Sequence, residues 1–172
     1  MTKEDKVIEQ MLVRFPFMEN KLFSPRSGRV ITPPLRCNHF EDAFEFVTTD
    51  VGFDTLHQII GIDNGADLGF IYILSNPDQI VLLLKLIVPK SNPEINSVTA
   101  RFPNALLYEQ ELANLWGAII KNLPEANSTY PLTADWPPGN YPLRKEWKVE
   151  YFNPQTQTYN PPPYTVKEGW HG

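Results

Sequence analysis

The sequence is poor in the residues that most often hold metal ions or build reactive sites. It has one cysteine and three histidines in 172 residues. Cys37 has no second thiol for an internal disulfide, and Cys37 with His39 falls short of the ligand spacing of a zinc site. No glycine-rich phosphate loop occurs, because Gly61 and Gly65 are too far apart and Asp63 lies between them, and no Gly-x-Ser-x-Gly sequence occurs. The sequence therefore argues against metal-binding, nucleotide-binding and hydrolase functions.

Long apolar segments are missing as well. The most apolar run, Gln79 to Pro89, has about ten residues, whereas a membrane-spanning helix needs about twenty. The first residues, Met1 to Lys6, lack the apolar core of a signal peptide, so we expect a cytosolic chain. The formal net charge of -5 gives no overall reason to expect nucleic acid as a partner.

The apolar positions that are present predict one folded domain of the α+β class. Hydrophobic residues make up 42% of the chain, which is enough for a single core. Apolar residues follow Thr2 and Asn38 at helical spacing, and each of these has an acidic residue three positions later, as in a capping box. Three apolar runs, Thr55 to Ile62, Leu68 to Leu74 and Ile80 to Val88, are separated by short turns and predict antiparallel strands. We therefore predict a small mixed or antiparallel sheet with helices packed on it.

Two details extend this prediction of the sheet. The residues from Ser24 to Gly28 lie between short apolar stretches and predict a hairpin. The run from Ile80 to Val88 is apolar at nearly every position, which predicts a central strand covered on both faces. Lys85 lies within that run, so its charged group is expected to reach an edge or a partner.

Another helix is predicted in the first half of the segment from Ser97 to Trp147. Residues 97–102 predict a short helix, Asn104 predicts the cap of a longer one, and Gly117 predicts its end. Asp135 to Trp147, the second half, is rich in proline and tryptophan and predicts no regular element.

Glu109 and Glu111 form the closest pair of carboxylates on the predicted helix. Side chains two positions apart on a helix diverge by about 200°, so these two cannot share one proton or one metal ion. A stand-alone enzyme is one alternative, with a cleft formed by His57, Asp63 and Glu111. Turnover by the purified chain without partners would favour that alternative.

The basic pair Arg144 and Lys145 lies among aromatic and proline residues. Large, rigid side chains of this kind are typical anchors at protein interfaces, because they lose little entropy on docking. A small module that binds RNA or another anion is the alternative, and it predicts salt-sensitive binding to polyanions. We favour a docking surface because the chain is acidic as a whole and the basic patch is short.

Proline is abundant, with 17 residues, and it is concentrated from Pro131 onwards. Residues 148–172 are polar, aromatic and proline-rich, a composition that favours an extended conformation over a packed fold. We therefore predict a domain of residues 1–147 followed by an extended tail of residues 148–172 that docks on a partner.

Three short sequences occur in a distinctive order: NSVT from Asn96, EQELANLWG from Glu109, and a segment from Asp135 that ends in PLRKEW. From about Gly52 to Trp147, their order and spacing resemble those of the C-type, or 30 kDa-type, subunit of complex I, the respiratory NADH:quinone oxidoreductase. The counterpart subunits of membrane-bound nickel-iron hydrogenases carry the same pattern. Family members typically read PSVT, then ERE and YDLFG, then EDW and PLRKDY.

This resemblance implies a non-catalytic structural subunit of the hydrophilic arm that holds no cofactor of its own. It implies three partners: a large catalytic subunit, a small iron–sulfur subunit and a ferredoxin-like iron–sulfur subunit. Iron–sulfur clusters, and a nickel-iron centre in the hydrogenase branch, would lie in those partners. The arm would lie at the cytoplasmic face of the membrane and contact it only through partner subunits, with no nucleic acid involved. The residues assigned to partner binding are Glu109, Glu111, Leu115, Trp116, Gly117, Pro142, Leu143, Arg144, Lys145 and Trp147.

The sequence departs from the family pattern at several positions. Gln110 stands where members have arginine, and Trp116 stands where they often have phenylalanine. Residues 124–133 replace the arginine-rich segment that usually leads into the second motif. Together with the run from Phe102 to Glu109, this replacement favours a ferredoxin-linked nickel-iron hydrogenase. A quinone-reducing NADH or ferredoxin dehydrogenase complex is the alternative.

Overall fold

A five-stranded mixed sheet forms one layer of the protein, and three α-helices form the other. The computed structural model describes residues 1–125 and 127–161. The elements follow the chain as α1 (Lys3–Arg14), β1 (Phe23–Arg26), β2 (Arg29–Leu35), α2 (Cys37–Thr49), β3 (Thr55–Asp63), β4 (Asp67–Ser75), β5 (Val81–Pro89), β6 (Glu94–Asn96), α3 (Ala105–Trp116), β7 (Ile119–Lys121), β8 (Phe152–Asn153) and β9 (Thr158–Tyr159). The predicted α+β class is confirmed.

The sheet has the strand order β1-β2-β5-β4-β3. Strands β3, β4 and β5 form the predicted antiparallel meander, and β1 and β2 form the predicted hairpin around Gly28. Strand β2 runs parallel to β5, so the chain crosses between them and makes the sheet mixed. The central position predicted for β5 is confirmed. Two smaller two-stranded sheets pair β6 with β7 and β8 with β9.

All three helices pack on one face of the sheet. Along β5 the burial alternates: the side chains of Leu82, Leu84, Leu86 and Val88 are buried, and those between them are only half-buried. The prediction that β5 is covered on both faces is therefore wrong. An apolar run identifies a strand, but it does not reveal whether a second layer covers the other face.

The helix ends confirm some of the predicted caps and correct others. Thr2 and Asp5 form the capping box of α1, with the Thr2 backbone N–H donating to Asp5 Oδ2 at 2.8 Å. Helix α2 begins at Cys37 after Arg36, without a side-chain cap, so the capping role predicted for Asn38 is wrong. Gly117 ends α3 in the left-handed conformation, with φ of 72°, as predicted.

The short helix predicted over residues 97–102 does not form. This stretch makes turns that lead from β6 into α3. Asn104 precedes α3 but makes no side-chain cap, because its amide donates instead to the Leu56 carbonyl oxygen at 2.8 Å. A bond to the edge strand therefore replaces the local cap.

The described part of the predicted tail folds back on itself. A single 3-10 turn, Val149–Tyr151, leads into the short hairpin of β8 and β9. The predicted extended conformation is therefore not what residues 148–161 adopt, and residues 162–172 lie outside the described part of the chain. Within residues 1–125 and 127–161, no helix combines the length and apolar character required to cross a membrane.

Candidate docking surface

The basic segment lies against the end of α3, which joins the two halves of the predicted site. Arg144 Nε donates to the Trp116 carbonyl oxygen at 2.6 Å, and a terminal guanidinium nitrogen donates to the Gly117 carbonyl oxygen at 3.3 Å. The Leu143 backbone N–H donates to the Leu115 carbonyl oxygen at 3.1 Å. The last carbonyl groups of a helix lack partners within it and attract positive charge, so Arg144 caps α3.

Gly117 allows this close approach. A Cβ atom at this position would lie 2.5 Å from the Tyr141 ring and 2.7 Å from the Arg144 guanidinium. The Tyr141 ring in turn lies 4.4 Å from Arg144 Cζ, within the range of a cation–π contact. Glycine is therefore required at position 117 both for its positive φ and for space.

The Trp116 side chain, at the end of α3, packs against the edge strand β3 at Gly61. A Cβ atom on Gly61 would overlap the Trp116 indole. Tyr108, two turns earlier on α3, donates its hydroxyl to the His57 carbonyl oxygen at 2.8 Å. These contacts hold α3 along β3, and they hold its C-terminal end where the basic segment meets it.

A buried ion pair attaches the other side of the basic segment to the sheet. Asp63 Oδ2 accepts hydrogen bonds at 2.8 Å from Lys90 Nζ and from the Lys145 backbone N–H, while Oδ1 accepts one from the Gly65 N–H at 2.8 Å. Lys90 also donates to Glu146 at 2.7 Å. Burial alone would raise the pKa of Asp63, but the hydrogen bonds from Lys90 and the two N–H groups outweigh it and lower the pKa to about 2.

An aromatic cluster gathers the tryptophans of the segment. The Trp136 and Trp147 ring centroids are 4.6 Å apart, and Tyr159 of the terminal hairpin lies 4.8 Å from Trp136. Tyr151 meets Trp147 edge to face at 5.2 Å. Trp147, predicted as a partner anchor, therefore packs first within its own chain.

Glu109 has an internal role in this structure. Its side chain is fully buried and accepts hydrogen bonds from the Ser97 hydroxyl at 2.6 Å and the Val98 backbone N–H at 2.7 Å. Burial raises the pKa of Glu109, and the two hydrogen bonds oppose that rise. Glu111 is half-buried on another side of the helix, so the predicted divergence of the two carboxylates is confirmed.

The catalytic cleft considered as an alternative does not form. His57, near the start of β3, contacts the Ser75 hydroxyl through Nε2 at 2.7 Å. Asp63 ends the same strand about 20 Å away, at about 3.3 Å per residue, and is bound to Lys90. His57, Asp63 and Glu111 therefore do not converge. The described residues contain no group of three His, Cys, Asp or Glu side chains arranged to hold a metal ion.

The predicted partner-binding residues differ in accessibility. Glu109 and Gly117 are buried, and the others are half-buried or exposed. Lys145 and Leu143 are exposed, Leu143 to 48%. We call Pro142, Leu143 and Lys145 the basic-motif surface. Contact of any of the ten residues with a partner stays a prediction. Arg144 and Lys145 do not act as a pair, because the Arg144 guanidinium is directed at the helix end.

Three residues that position this surface, Asp63, Lys90 and Tyr141, carry no distinctive signal in the sequence. The sequence around Asp63 predicts that this residue forms a turn, and its hydrogen bond from the Gly65 N–H agrees with that prediction. The same pattern does not predict the bonds of Asp63 to Lys90 and Lys145. Tyr141 is predicted only as an aromatic neighbour of the basic pair. No local pattern marks the contacts that tie the segment down, because they join distant parts of the chain.

The fold and the joined motifs define a small α+β protein with an ordered basic segment, and comparison with known proteins identifies its family. The family described as "Respiratory-chain NADH dehydrogenase, 30 Kd subunit" matches residues 35–153. The chain belongs to this family, and the resemblance found in the motifs is confirmed.

Two relatives match over most of their length. The C subunit of the F(420)H(2) dehydrogenase of Methanosarcina mazei is 31% identical over 152 residues, covering 83% of this chain and 90% of the relative. The beta subunit of the membrane-bound hydrogenase of Pyrococcus furiosus is 28% identical over 156 residues, covering 86% and 88%. A chain of the membrane-bound sulfane sulfur reductase, an archaeal respiratory membrane complex, has a similar fold, with a TM-score of 0.71, 21% identity, and coverage of 86% and 87%.

Proposed function

We propose that this protein is a non-catalytic structural subunit in the peripheral arm of a membrane-bound, complex I-related oxidoreductase, and that it docks on the large catalytic subunit. Its family and its relatives, which belong to a dehydrogenase and a hydrogenase, support this role. The peripheral arm would lie at the cytoplasmic face of the membrane. Iron–sulfur clusters would be held by partner subunits.

The basic-motif surface is the proposed contact with the large subunit. This proposal rests on one observation: the irregular segment around Arg144 is fixed to α3 and to Asp63 on one side, while the side chains of Leu143 and Lys145 on its other side stay accessible. Arg144 binds the end of α3, and the Lys145 backbone N–H binds Asp63 at 2.8 Å. A surface that is already ordered loses less entropy on docking, so Leu143 and Lys145 are suited to partner contact.

We assign the complex to the ferredoxin-linked nickel-iron hydrogenase branch, with a quinone-reducing dehydrogenase as the alternative. The run from Phe102 to Glu109 and the replaced segment 124–133 favour the hydrogenase branch. Nickel in the co-purified large subunit is the expected result. A large subunit that binds quinone and lacks nickel would contradict the branch and leave the docking role intact.

The double variant Leu143→Asp, Lys145→Glu tests the docking role. It introduces two negative charges on the proposed contact without touching the buried bonds of Arg144 or Asp63. We expect the affinity for the large subunit to fall by at least about tenfold, because a desolvated carboxylate and a reversed charge both oppose docking. The measurement is co-purification of the tagged chain with the large subunit from membranes.

Val13→Asp is the matched control, since Val13 is 79% exposed on α1. The control variant should co-purify like the unmodified chain, and both variants should keep its thermal unfolding midpoint. Full retention of the large subunit by the double variant would refute docking through this surface.

A further inference from the structure

The sheet face that the helices leave open is strongly apolar. Side chains on this face alternate with the buried ones along β2, β3, β4 and β5. Its apolar members, which we call the open face, are Ile31, Ile60, Ile62, Ile71, Ile73, Val81, Leu83 and Ile87. The strand register places them side by side, with Leu83 between Ile31 and Ile73, and Ile60 beside Ile71.

The open face lies outside the core of the sandwich. None of its members belongs to the buried core cluster or to the partly buried residues packed against that cluster. Four strands spaced by about 4.8 Å, with about four outward residues each, make a surface roughly 15–20 Å across. Soluble monomeric proteins rarely expose contiguous apolar patches larger than a few hundred Å², and larger patches mark contact sites.

One charge lies at the centre of this surface. Lys85 is the middle residue of the nine-residue strand β5, and β5 is the middle strand of five. Its register partners are Ile71 on one side and Pro34 on the other. Among the described residues, Lys85 makes no ion pair, whereas Lys3, Arg36 and Lys121 each make one and Lys90 makes two.

The central lysine discriminates between the possible occupants of the open face. Two copies stacked face to face about a two-fold axis would bring their Lys85 ammonium groups together in an apolar interface, which is unfavourable. A different protein can place a carboxylate opposite Lys85 and apolar side chains around it. The charge pattern therefore favours a heterologous partner over a second copy.

We propose that the open face binds another subunit of the complex through an apolar surface that carries one carboxylate opposite Lys85. This inference rests on the proposed function, because it requires that the chain is part of a multi-subunit complex. It adds a second interface, on the sheet face opposite the helices, to the basic-motif surface. The protein would thus be held on two sides.

Site-specific photocrosslinking in the assembled complex tests the proposal. A benzophenone side chain replaces Ile73 on the open face, and in the control chain it replaces Val13, which is exposed on α1. After purification from membranes and irradiation, we expect an adduct between position 73 and one other subunit, identified by mass spectrometry. The control position should give at most about a tenth of that yield.

Substitution of Lys85 tests the expected carboxylate. Lys85→Met should lower incorporation of the chain into the membrane complex about tenfold when it competes with the unmodified chain. The reason is that the variant leaves the opposing carboxylate without a partner. Lys85→Glu should lower it further because it places two negative charges together. Incorporation of Lys85→Glu equal to that of the unmodified chain would overturn the proposal.

The crosslinking outcomes separate the two proposals. An adduct with a second copy, an adduct only within the same chain, or no adduct in a complex that contains the chain would overturn the open-face interface alone. Absence of the unmodified chain from every membrane complex would overturn the proposed function and this inference together.

Discussion

The helix-on-sheet sandwich of residues 1–121 and the segment of residues 127–161 are stabilised in different ways. The buried core is built entirely from side chains between Val7 and Ala118. The described segment contributes nothing to that core. It is attached instead by Arg144 at the end of α3, by the hydrogen bond from the Lys145 backbone N–H to Asp63, and by Asn114, whose amide donates to the Ser128 and Tyr130 carbonyl oxygens at 2.9 and 2.6 Å. The aromatic cluster lies wholly within the segment and holds its parts together.

Because of this difference, the sandwich determines whether the protein folds, whereas the segment of residues 127–161 determines where the basic-motif surface lies. Burial stabilises the sandwich in proportion to area, so many side chains share the effect. A hydrogen bond or cation–π contact contributes only about 1 kcal/mol, but it is directional and determines where a segment lies. Loss of one such contact should release part of the segment while the sandwich stays folded.

The largest effect is expected in the sandwich. Leu84 is fully buried in the central strand, so Leu84→Ala should lower the free energy of unfolding by about 2–5 kcal/mol through lost burial and a cavity. Urea unfolding followed by circular dichroism measures this loss. Leu143→Ala, at a side chain that is 48% exposed, is the control and should change stability by less than about 0.5 kcal/mol. Equal losses in the two variants would remove the distinction between the regions.

A smaller, pH-dependent effect is expected where the two regions meet. The pKa of Asp63 is lowered from 3.8 to about 2 in the folded state, so its stabilising contribution is present above the unfolded pKa and is lost as pH falls towards 2. Asp63→Asn should therefore be about 2 kcal/mol less stable than the unmodified protein at pH 7. The difference should shrink between about pH 5 and pH 2.

Urea titrations at neutral pH and at successively lower pH down to about 2 test this dependence. Asp135→Asn is a suitable control because Asp135 is exposed. A stability difference for Asp63→Asn that stays constant across this range would contradict the assigned role of the ion pair.

The smallest effect is expected within the segment itself. Arg144→Lys keeps the charge but loses the planar group that binds two carbonyls and stacks on Tyr141, which should cost about 1 kcal/mol. The loss should increase amide hydrogen exchange in residues 127–161 and leave β4 and β5 unchanged. Lys145→Ala is the matched control, because only the Lys145 backbone binds Asp63. Faster exchange throughout the sheet would show that the segment and sandwich unfold together.

Sequence patterns predicted elements better than they predicted contacts between elements. The meander of β3, β4 and β5 and the capping box at Thr2 follow from residues close together in the chain. The cap predicted at Asn104 was wrong because its amide binds Leu56. The helix predicted over residues 97–102 was wrong because the Ser97 hydroxyl and the Val98 backbone N–H donate to Glu109 and hold this stretch outside a helix. In both cases a long-range hydrogen bond replaced the predicted local structure.

The sequence by itself determined the α+β class, the three strands of the antiparallel meander, the end of α3 at Gly117 and the family, because each follows from short patterns of residue type. Only the tertiary structure decided that Glu109 is buried, that Arg144 caps a helix, and that one sheet face stays open. Arg144 and Trp116 are 28 positions apart, and Lys145 and Asp63 are 82 positions apart. Such contacts depend on how layers pack, and periodicity within a segment carries no information about them.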